Sequence, residues 1–435
     1  MQFLKQFTGT FLGAFLAIYL FSNIDFFANA HERTSSEVLV SSECPDSTRF
    51  LSTLNGKKVC ELKGVYNHDM KLTADKYWAL NGEVVMGGDN INSVVLDIEP
   101  GTTIYGSHGP DFLLISRGSR IEAKGNRLQP IIFTSAQDVV GRATKDDRGQ
   151  WGGLVIAGNA PTNAGLEEEF EFSKNSRKFG GTNSSDNSGT LKYLVVKHAG
   201  FEVSLDKELN GISLGGVGSG TVIDYVEVYN NADDGIELWG GTVNMKHIVL
   251  VGNGDDAFDV DHGYTGKVQY LYIKQTDVIS YDPRGIEADN HKIKFQAQPL
   301  SFPKIANFEI QGNSLGETGV LLRRGSRIKM VNGTIDGFGK YCVALRNRVT
   351  LDHNPIFHTT HIKSCKKGSF GGKYHVANSS VSRLVMNRSH QNSITDKPMA
   401  ENVRSYMNDN FFDEAKFIGA FEVGSDWRKG WSIGL

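Results

Sequence analysis

Acidic side chains recur at a regular spacing in the middle of this 435-residue sequence. Two copies of one acidic pattern lie 22 residues apart (259 − 237), and their members are Asp233, Asp234 and Glu237, then Asp255, Asp256 and Asp259. Between residues 231 and 261, seven acidic residues stand against one lysine, Lys246. Clustered carboxylates raise one another's pKa or attract a cation, and calcium binds through oxygen ligands of this kind. The pattern therefore indicates either acid–base chemistry or a calcium site.

The elements that would hold these residues are short strands. Apolar runs such as 94–98, 112–115 and 130–134 have strand length and end in turn-forming residues. No amphipathic helical pattern lies between them, which argues against a sheet built from βαβ units. A repeat of about 22 residues without a helix is typical of one coil of a parallel β-helix, whereas a propeller blade needs roughly 40–45 residues. We therefore predict an all-β, single-stranded parallel β-helix, a solenoid with terminal caps.

Strand geometry predicts where the acidic residues point. Side chains alternate along a strand, so Ile236 and Leu238 should face the core while Glu237 faces outward. A weaker third copy of the pattern follows at residues 284–289. Coils stacked about 4.8 Å apart would align the outward acidic side chains. This predicted acidic column consists of Glu237, Asp259, Asp261, Glu287 and Asp289.

Three interpretations of the acidic residues remain open. In the first, the aspartates of the two Asp-Asp pairs cap turns by accepting backbone N–H groups. In the second, the acidic column holds a calcium ion. In the third, the column acts on a polysaccharide, and the candidate catalytic residues are Asp259, Glu287 and Arg284.

The catalytic interpretation takes two chemical forms. In a lyase, calcium neutralises a uronate while Arg284 or a nearby lysine removes the proton next to the carboxyl group. In a glycoside hydrolase, two carboxylates flank the bond that breaks, and their separation sets the stereochemical outcome. Arg284 also has a simpler alternative role, which is to balance the negative charge of the acidic column.

The N-terminus has the pattern of a secretory signal. Lys5 precedes an apolar run at 11–21, and Ala28-Asn29-Ala30 offers a small-residue cleavage site. An uncleaved membrane anchor is the alternative, and after cleavage we expect no transmembrane segment. The predicted organisation is a signal peptide at 1–30, a polar cap segment at 31–73, and a β-helix domain with its C-terminal cap at 74–435.

Four cysteines fit an exported protein. Pairing of Cys44 with Cys60 and of Cys342 with Cys365 is the simplest of the three possible connectivities. A cysteine metal site is the alternative, although the sequence lacks a CxxC spacing. We therefore expect two disulfides.

The charge balance excludes one class of function. The chain has 46 basic and 49 acidic residues and a formal net charge of −3, whereas a nucleic-acid-binding protein usually carries a basic face. The 49 glycines exceed the usual share of about 7% and favour many tight turns. We expect no nucleic-acid partner.

The sequence also allows predictions for two tryptophans, a long loop and the C-terminal segment. Trp151 and Trp239 each precede two glycines, and such a tryptophan either stacks on a sugar ring or fills a corner of a coil. Residues 163–189 are rich in Gly, Ser and Asn and are predicted to form a long surface loop. Apolar residues at 417–431 are predicted to cap the last coil.

Several motifs together resemble those of a known family. They are Ile98–Ile104, Arg117–Gly125, Pro130–Ser135, Gly149–Leu154, Leu214–Thr221, Gly240–Asn244, Asn253–Asp256 and Arg284–Asn290. In this combination the sequence resembles exported bacterial proteins that form right-handed parallel β-helices, over roughly residues 75–435. The resemblance implies the handedness and export, but no activity and no catalytic residue. Many members look like outer-membrane lipoproteins; this sequence lacks a lipidated cysteine, so we expect a secreted or periplasmic protein, with cell-surface association as an alternative.

These observations support three hypotheses about function. The first is an exported β-helix protein that binds a ligand or surface, such as a glycan, through an acidic face that calcium structures. The second is a polysaccharide lyase or glycoside hydrolase that works at the acidic column. The third is a structural or adhesive component of the cell envelope. A polysaccharide or a cell-surface component is the expected partner in each case.

Overall fold

The structure is a computed structural model. It describes residues 43–172, 177–205, 207–276, 283–372 and 400–434. The predicted signal peptide at 1–30 lies outside the described residues.

Short strands account for most of the regular structure. They are β1 (Arg49–Leu54), β2 (Lys57–Tyr66), β3 (Met70–Leu72), β4 (Lys76–Met86), β5 (Val95–Ile98), β6 (Thr103–Gly106), β7 (Phe112–Ile115), β8 (Arg120–Lys124), β9 (Ile131–Ser135), β10 (Gly153–Ala157), β11 (Glu168–Glu169), β12 (Lys178–Phe179), β13 (Gly189–Lys197), β14 (Glu202–Ser204), β15 (Lys207–Glu208), β16 (Ile212–Gly215), β17 (Val222–Tyr229), β18 (Ile236–Trp239), β19 (Asn244–Val251), β20 (Asp256–Asp261), β21 (Lys267–Lys274), β22 (Arg284–Ala288), β23 (Lys304–Gln311), β24 (Val320–Leu322), β25 (Lys329–Asp336), β26 (Tyr341–Leu345), β27 (Ile356–Lys363) and β28 (Gly368–Gly371). The described helices are short: α1 (Ala136–Val139), α2 (Arg348–Asp352) and α3 (Val403–Met407).

The strands wind into a right-handed parallel β-helix, as predicted. Among the described residues, 24 strands belong to one hydrogen-bonded sheet. In its central part each strand pairs in parallel with the strand two positions along the chain: β18 pairs with β16 and β20, while β19 pairs with β17 and β21. This alternation produces two stacks. Stack A contains β16, β18, β20, β22, β24 and β26, and stack B contains β13, β17, β19, β21, β23, β25 and β27.

The interior of the coils is apolar. Inward residues such as Ile236, Leu238, Phe258 and Val260 are fully or almost fully buried and belong to one continuous core. They alternate with outward polar residues along each strand, as the sequence pattern predicts. Burial of this stripe drives the stacking, because a single coil cannot cover its own apolar face.

Each strand of stack B bends at an equivalent residue. Tyr193, Tyr225, His247 and Tyr270 have φ values of 47°, 58°, 52° and 63°, in the left-handed region. Such a conformation costs of order 1 kcal/mol for residues of this kind. Their rings stack at centroid distances of 4.4, 4.1 and 4.7 Å along the coils, and this contact helps to offset the strain.

The C-terminal segment, residues 400–434, covers the outer side of stack B. Trp431 packs edge-on against Tyr193 and Tyr225, and Val403 packs against Ala306 and its neighbours. These contacts run along the sides of several coils. The apolar residues at 417–431 are predicted to cap the last coil; in the structure they instead cover lateral, outward side chains.

Both predicted disulfides are confirmed. Cys44 bonds to Cys60, and Cys342 bonds to Cys365. The first of them joins the N-terminal residues to β2, which pairs in parallel with β4. The β-helical pairing therefore includes part of the segment 31–73, which the sequence predicts to be a cap.

Among the described residues, no helix has the length and apolar character required to cross a bilayer.

Candidate functional site

The acidic column lies on the outer side of stack A. The parallel register pairs Glu237 with Asp259 and Asp259 with Glu287, so the three side chains occupy equivalent positions in successive coils. Asp261 pairs with Trp239 and therefore belongs to a neighbouring outward row, two residues further along the strand. Asp289 stands in that same row, directly after the end of β22.

Arginines neutralise the Glu287 end of the column. Arg284 NH1 lies 3.0 Å from Glu287 Oε2, and Arg323 also forms an ion pair with Glu287. Asp289 accepts hydrogen bonds from Arg323 Nε at 2.8 Å and Arg324 NH1 at 2.6 Å. Burial raises the pKa of Glu287 to about 7, although Arg323 and Arg284 act to lower it. Glu287 and Asp289, two of the predicted calcium ligands, thus already have cationic partners.

Arg284 is held inside this network. It is buried, and its NH1 lies 3.3 Å from Asp256 Oδ2 as well as close to Glu287. Burial acts to lower the pKa of Arg284, but Asp256 and Glu287 outweigh it and raise that pKa above its ordinary value. An arginine that keeps its proton so firmly is poorly suited to act as a base. The arrangement supports charge balance as its role.

The other end of the column has no such partner. Asp234, Glu237 and Asp259 each place a carboxylate oxygen within 4.8 Å of the others, and we call them the carboxylate triad. Within the described part of the chain, no Lys, Arg or His forms an ion pair with any of the three. Burial, followed by repulsion from neighbouring carboxylates, raises all three pKa values well above their ordinary range, although Arg323 acts to lower that of Asp259.

Hydrogen bonds hold the triad without neutralising it. Asn210 Nδ2 donates to Glu237 Oε2 at 2.6 Å, and Val260 N–H donates to Asp259 Oδ1 at 2.6 Å. Asp234 Oδ1 accepts the N–H of Asp256 at 2.8 Å. Asp234 thus caps a neighbouring turn, as the first sequence interpretation proposed, and still contributes a carboxylate to the cluster.

Asn210 supplies an independent sign of a missing ligand. Its side chain is 2% exposed, and its Oδ1 has no hydrogen-bond partner among the described residues. A buried carbonyl oxygen without a donor costs about 1–3 kcal/mol. Because its own amide nitrogen contacts Glu237, the orphaned oxygen belongs to the surroundings of the triad. The resulting donor set contains only oxygen, which suits a hard cation such as calcium.

An aromatic cluster adjoins the triad. Trp239, two residues after Glu237, packs against Phe170 and Phe179 at centroid distances of 5.5 and 6.2 Å. The predicted surface loop at 163–189 is therefore partly a packed insertion, because its phenylalanines are buried. Trp151, in contrast, is fully buried in the coil interior. The coil-filling interpretation holds for Trp151, while Trp239 lies half-buried on the outer side.

Sequence reasoning missed Arg323 and Arg324. They follow β24, whose Leu321 pairs with Glu287. The interval from Glu287 to Leu321 is 34 residues (321 − 287), much longer than the 22-residue period that revealed the acidic copies. A search for the next strand beyond a long insertion would have placed the two arginines beside the acidic column.

Comparisons with known proteins give one family. The sequence model described as "Pectate-lyase like beta helix domain" matches residues 64–432. No curated protein matches the chain. Among solved structures, the enzymatically active domain of tailspike protein 2 from bacteriophage CBA120 is 14% identical with a TM-score of 0.28, and the match covers 71% of this chain and 40% of that one. The chain thus spans less than half of the tailspike domain, and a likeness at this level carries no functional argument.

Proposed function

The chain belongs to the family of pectate-lyase-like β-helix domains, and from this premise we propose that the outer side of stack A binds a glycan with the help of a calcium ion. The observation that carries the proposal is the carboxylate triad of Asp234, Glu237 and Asp259, none of which forms an ion pair among the described residues, although Arg323 attracts Asp259 from a greater distance. Asp234 is buried and the other two are half-buried, and like charges withdrawn from water are costly unless a cation accompanies them.

Calcium fits the donors that surround this position. It takes about six to eight oxygen ligands in a flexible geometry. The triad and the orphaned Oδ1 of Asn210 supply fewer than that, so hydroxyl or carboxylate oxygens of a sugar can complete the set. The adjacent, half-buried Trp239 offers an aromatic surface of the kind that packs against sugar rings.

The proposal is one of binding rather than cleavage. Of the candidate catalytic residues, Arg284 and Glu287 are paired with each other at 3.0 Å, and Asp259 belongs to the proposed calcium site. The two disulfides persist best in an oxidising compartment. We therefore propose that the protein acts in the periplasm or outside the cell.

The first test measures calcium binding. Thermal or urea unfolding is followed in EDTA and with added calcium, for the wild-type protein and for Glu237→Gln and Asp259→Asn. A ligand present at a hundredfold excess over its Kd stabilises the folded state by about 2.7 kcal/mol. We expect this stabilisation in the wild type and its loss in both variants.

A matched control lies in the same coil. Asp224 is an outward acid on stack B that pairs with His247 at 2.7 Å, so Asp224→Asn should retain the calcium response. A glycan panel is then screened with calcium and with EDTA. An unchanged unfolding midpoint of the wild type on addition of calcium would contradict the metal site, and glycan binding that is identical in EDTA would contradict its proposed role.

A further inference from the structure

The C-terminal end of the β-helix carries a concentration of positive charge. Residues 312–372 extend from the end of β23 to just beyond β28, and they contain 10 basic residues against 3 acidic ones. The net charge of this stretch is thus +7 (10 − 3), whereas that of the whole chain is −3. A charge asymmetry of this kind indicates a protein that docks on a polyanionic surface.

Four lysines of this stretch lie in or beside two stacked turns. Lys340 stands in the turn between β25 and β26, whereas Lys363 ends β27 and Lys366 and Lys367 follow it. The Lys366 N–H donates to the Phe338 carbonyl at 3.0 Å, and the Lys367 N–H donates to the Lys340 carbonyl at 2.8 Å. The second turn therefore lies directly against the first, and we call these four side chains the lysine cluster.

A disulfide fixes the turn that carries most of the lysine cluster. Cys365 lies between Lys363 and Lys366 in the sequence and is bonded to Cys342 of β26. The turn is thus held both by a covalent bond and by the backbone hydrogen bonds to the coil before it. Because its backbone is already ordered, little backbone entropy is lost when its lysines bind a partner.

The charge of the lysine cluster is only partly balanced. Two of its members have acidic partners, which are Asp336 at 3.2 Å and Glu317. The other two, Lys366 and Lys367, are exposed, and neither forms an ion pair within the described part of the chain. Burial, followed by the nearby charge of Lys367, lowers the pKa of Lys340. The cluster therefore keeps a net positive charge.

The acidic column lies too far away to cancel this charge. Asp259 stands on β20, and β28, which directly follows Lys367, lies four strand spacings further along stack A. At about 4.8 Å per spacing this is roughly 19 Å, more than twice the Debye length of about 8 Å at physiological ionic strength. The nearer carboxylates of Glu287 and Asp289 already pair with arginines. The basic and acidic regions are therefore electrostatically separate.

Protection of an open sheet edge does not account for the lysine cluster. Lysines that guard an edge stand within the edge strand, where they keep another strand from pairing with it. Lys340, Lys366 and Lys367 instead stand in turns between strands, where there is no strand edge to protect.

We propose that the lysine cluster docks the C-terminal end of the β-helix on a membrane that carries anionic lipid headgroups. Ammonium groups are compact point charges that suit the phosphate of such a headgroup, and each lysine close to the surface raises the affinity roughly fivefold. Docking of this kind gives an exported protein association with the cell surface although its sequence lacks a lipidated cysteine.

The test measures how the full chain binds to lipid vesicles by cosedimentation in EDTA. Neutral vesicles contain phosphatidylcholine alone, and anionic vesicles contain an equimolar mixture of phosphatidylcholine and phosphatidylglycerol. We expect at least tenfold tighter binding to the anionic vesicles at low salt, and added salt should weaken it. The apolar segment 11–21 is the same in every sample, so the difference between the two kinds of vesicle isolates the electrostatic part of the binding.

A double substitution locates the charges that are responsible. Lys366→Gln with Lys367→Gln should lower the affinity for anionic vesicles at least tenfold and leave that for neutral vesicles unchanged. Lys145→Gln with Lys429→Gln is the matched control, because it removes two exposed lysines that lie outside this stretch and changes the total charge by the same amount. The control should bind like the wild type.

Four outcomes would overturn the proposal. Equal affinity for the two kinds of vesicle is the first, and an unchanged affinity in the Lys366 and Lys367 variant is the second. An equal loss in the control variant is the third, since the total charge alone would then govern binding. The fourth is self-association at low salt that the same two substitutions abolish while anionic vesicles stay unbound, because the lysine cluster would then contact a second copy of the chain.

The use of EDTA keeps this proposal independent of the calcium site. Vesicle binding that depends on Lys366 and Lys367, in a protein that calcium does not stabilise, would remove only the calcium site. A calcium-stabilised protein that does not distinguish the two kinds of vesicle would remove only the docking surface.

Discussion

Carboxylates on the two outer sides of the β-helix differ in the hydrogen-bond donors that the chain provides for them. On stack B, the carboxylate of Glu227 is fully buried, and it accepts hydrogen bonds from Ser432 Oγ and from the N–H groups of Ile433 and Gly434. On stack A, Glu237 has one donor, Asn210, and faces the carboxylate of Asp259. Where the chain merely covers a polar side chain, it supplies the partners itself. Glu237, which is half-buried, has fewer such partners among the described residues, and this is the feature that the calcium proposal would explain.

The basic residues on the two stacks also differ in their ion-pair partners. Lys246 and Lys267, which face outward on stack B, pair with Asp413 at 2.7 Å and Asp409 at 2.6 Å of the C-terminal segment. Stack A carries arginines at one end of its acidic column, and they leave the carboxylate triad without an ion pair among the described residues. The ion pairs of stack B are thus made within the chain, whereas the proposed calcium ion would complete those of stack A.

The largest effect should come from uncovering stack B. Trp431 is 3% exposed and packs against Tyr193 and Tyr225. Trp431→Ala should lower the free energy of unfolding by about 3–5 kcal/mol, as other buried aromatic truncations do. Urea unfolding measures this loss, and Leu128→Ala, at a residue 86% exposed, is the control. If calcium binds on stack A as proposed, the calcium response should survive in Trp431→Ala, and its loss would contradict separate roles for the two stacks.

A smaller effect distinguishes the buried Glu227 from the half-buried Glu237. At pH 8 in EDTA, Glu227→Gln should have two opposing effects: an amide NH₂ that faces donors costs about 1–3 kcal/mol, while removal of a buried carboxylate whose pKa burial raises to about 7 relieves a cost of similar size. We therefore expect a net change of less than about 1 kcal/mol. Glu237→Gln should leave stability unchanged or raise it, because it removes repulsion with Asp259, and Asn210 can present its unpaired oxygen to the new amide. Urea unfolding of both variants measures the change in the free energy of unfolding. Glu237→Gln should therefore be more stable than Glu227→Gln, and equal changes in the two would mean that Glu237 is as well satisfied as Glu227.

Much of the fold could be predicted from the sequence, because its signals are local and periodic. The 22-residue repeat and the alternation around Glu237 and Asp259 gave the stacking and the outward column, which the parallel register reproduces. The spacing of the cysteines gave both disulfides. These features depend on neighbours within one or two coils, where sequence patterns are reliable.

The remaining features depend on contacts between distant segments. The ion pairs of Arg323 with Glu287 and Asp289 cross a long insertion, and the hydrogen bonds of the C-terminal residues to Glu227 join positions about 200 residues apart. No periodicity links such partners. The sequence therefore does not distinguish the members of the acidic column. In the structure Glu287 and Asp289 form ion pairs with arginines, whereas Glu237 and Asp259 form none among the described residues.

The last prediction uses pH to separate the two kinds of carboxylate. Burial and repulsion raise the pKa values of Asp234, Glu237 and Asp259 in the folded state. These three groups therefore bind more protons in the folded protein than in the unfolded chain above about pH 4, and their contribution to stability in EDTA should fall as the pH rises. The slope is at most about 1.4 kcal/mol per pH unit for each proton. Calcium replaces those protons, so it should reduce the slope between pH 5 and 8.

Glu227 should behave differently in the same experiment. Burial raises its pKa to about 7, against the effect of the donated hydrogen bonds. The contribution of protonated Glu227 to the free energy of unfolding should therefore be lost as the pH rises from about 4.5 to about 7, whether or not calcium is present. Urea midpoints measured at several pH values, with EDTA and with calcium, separate the two parts, and Glu227→Gln should remove the calcium-insensitive part alone. If calcium left the slope of the wild-type protein unchanged, the triad would hold no cation, and the contrast between the two stacks would reduce to a difference in hydrogen bonding.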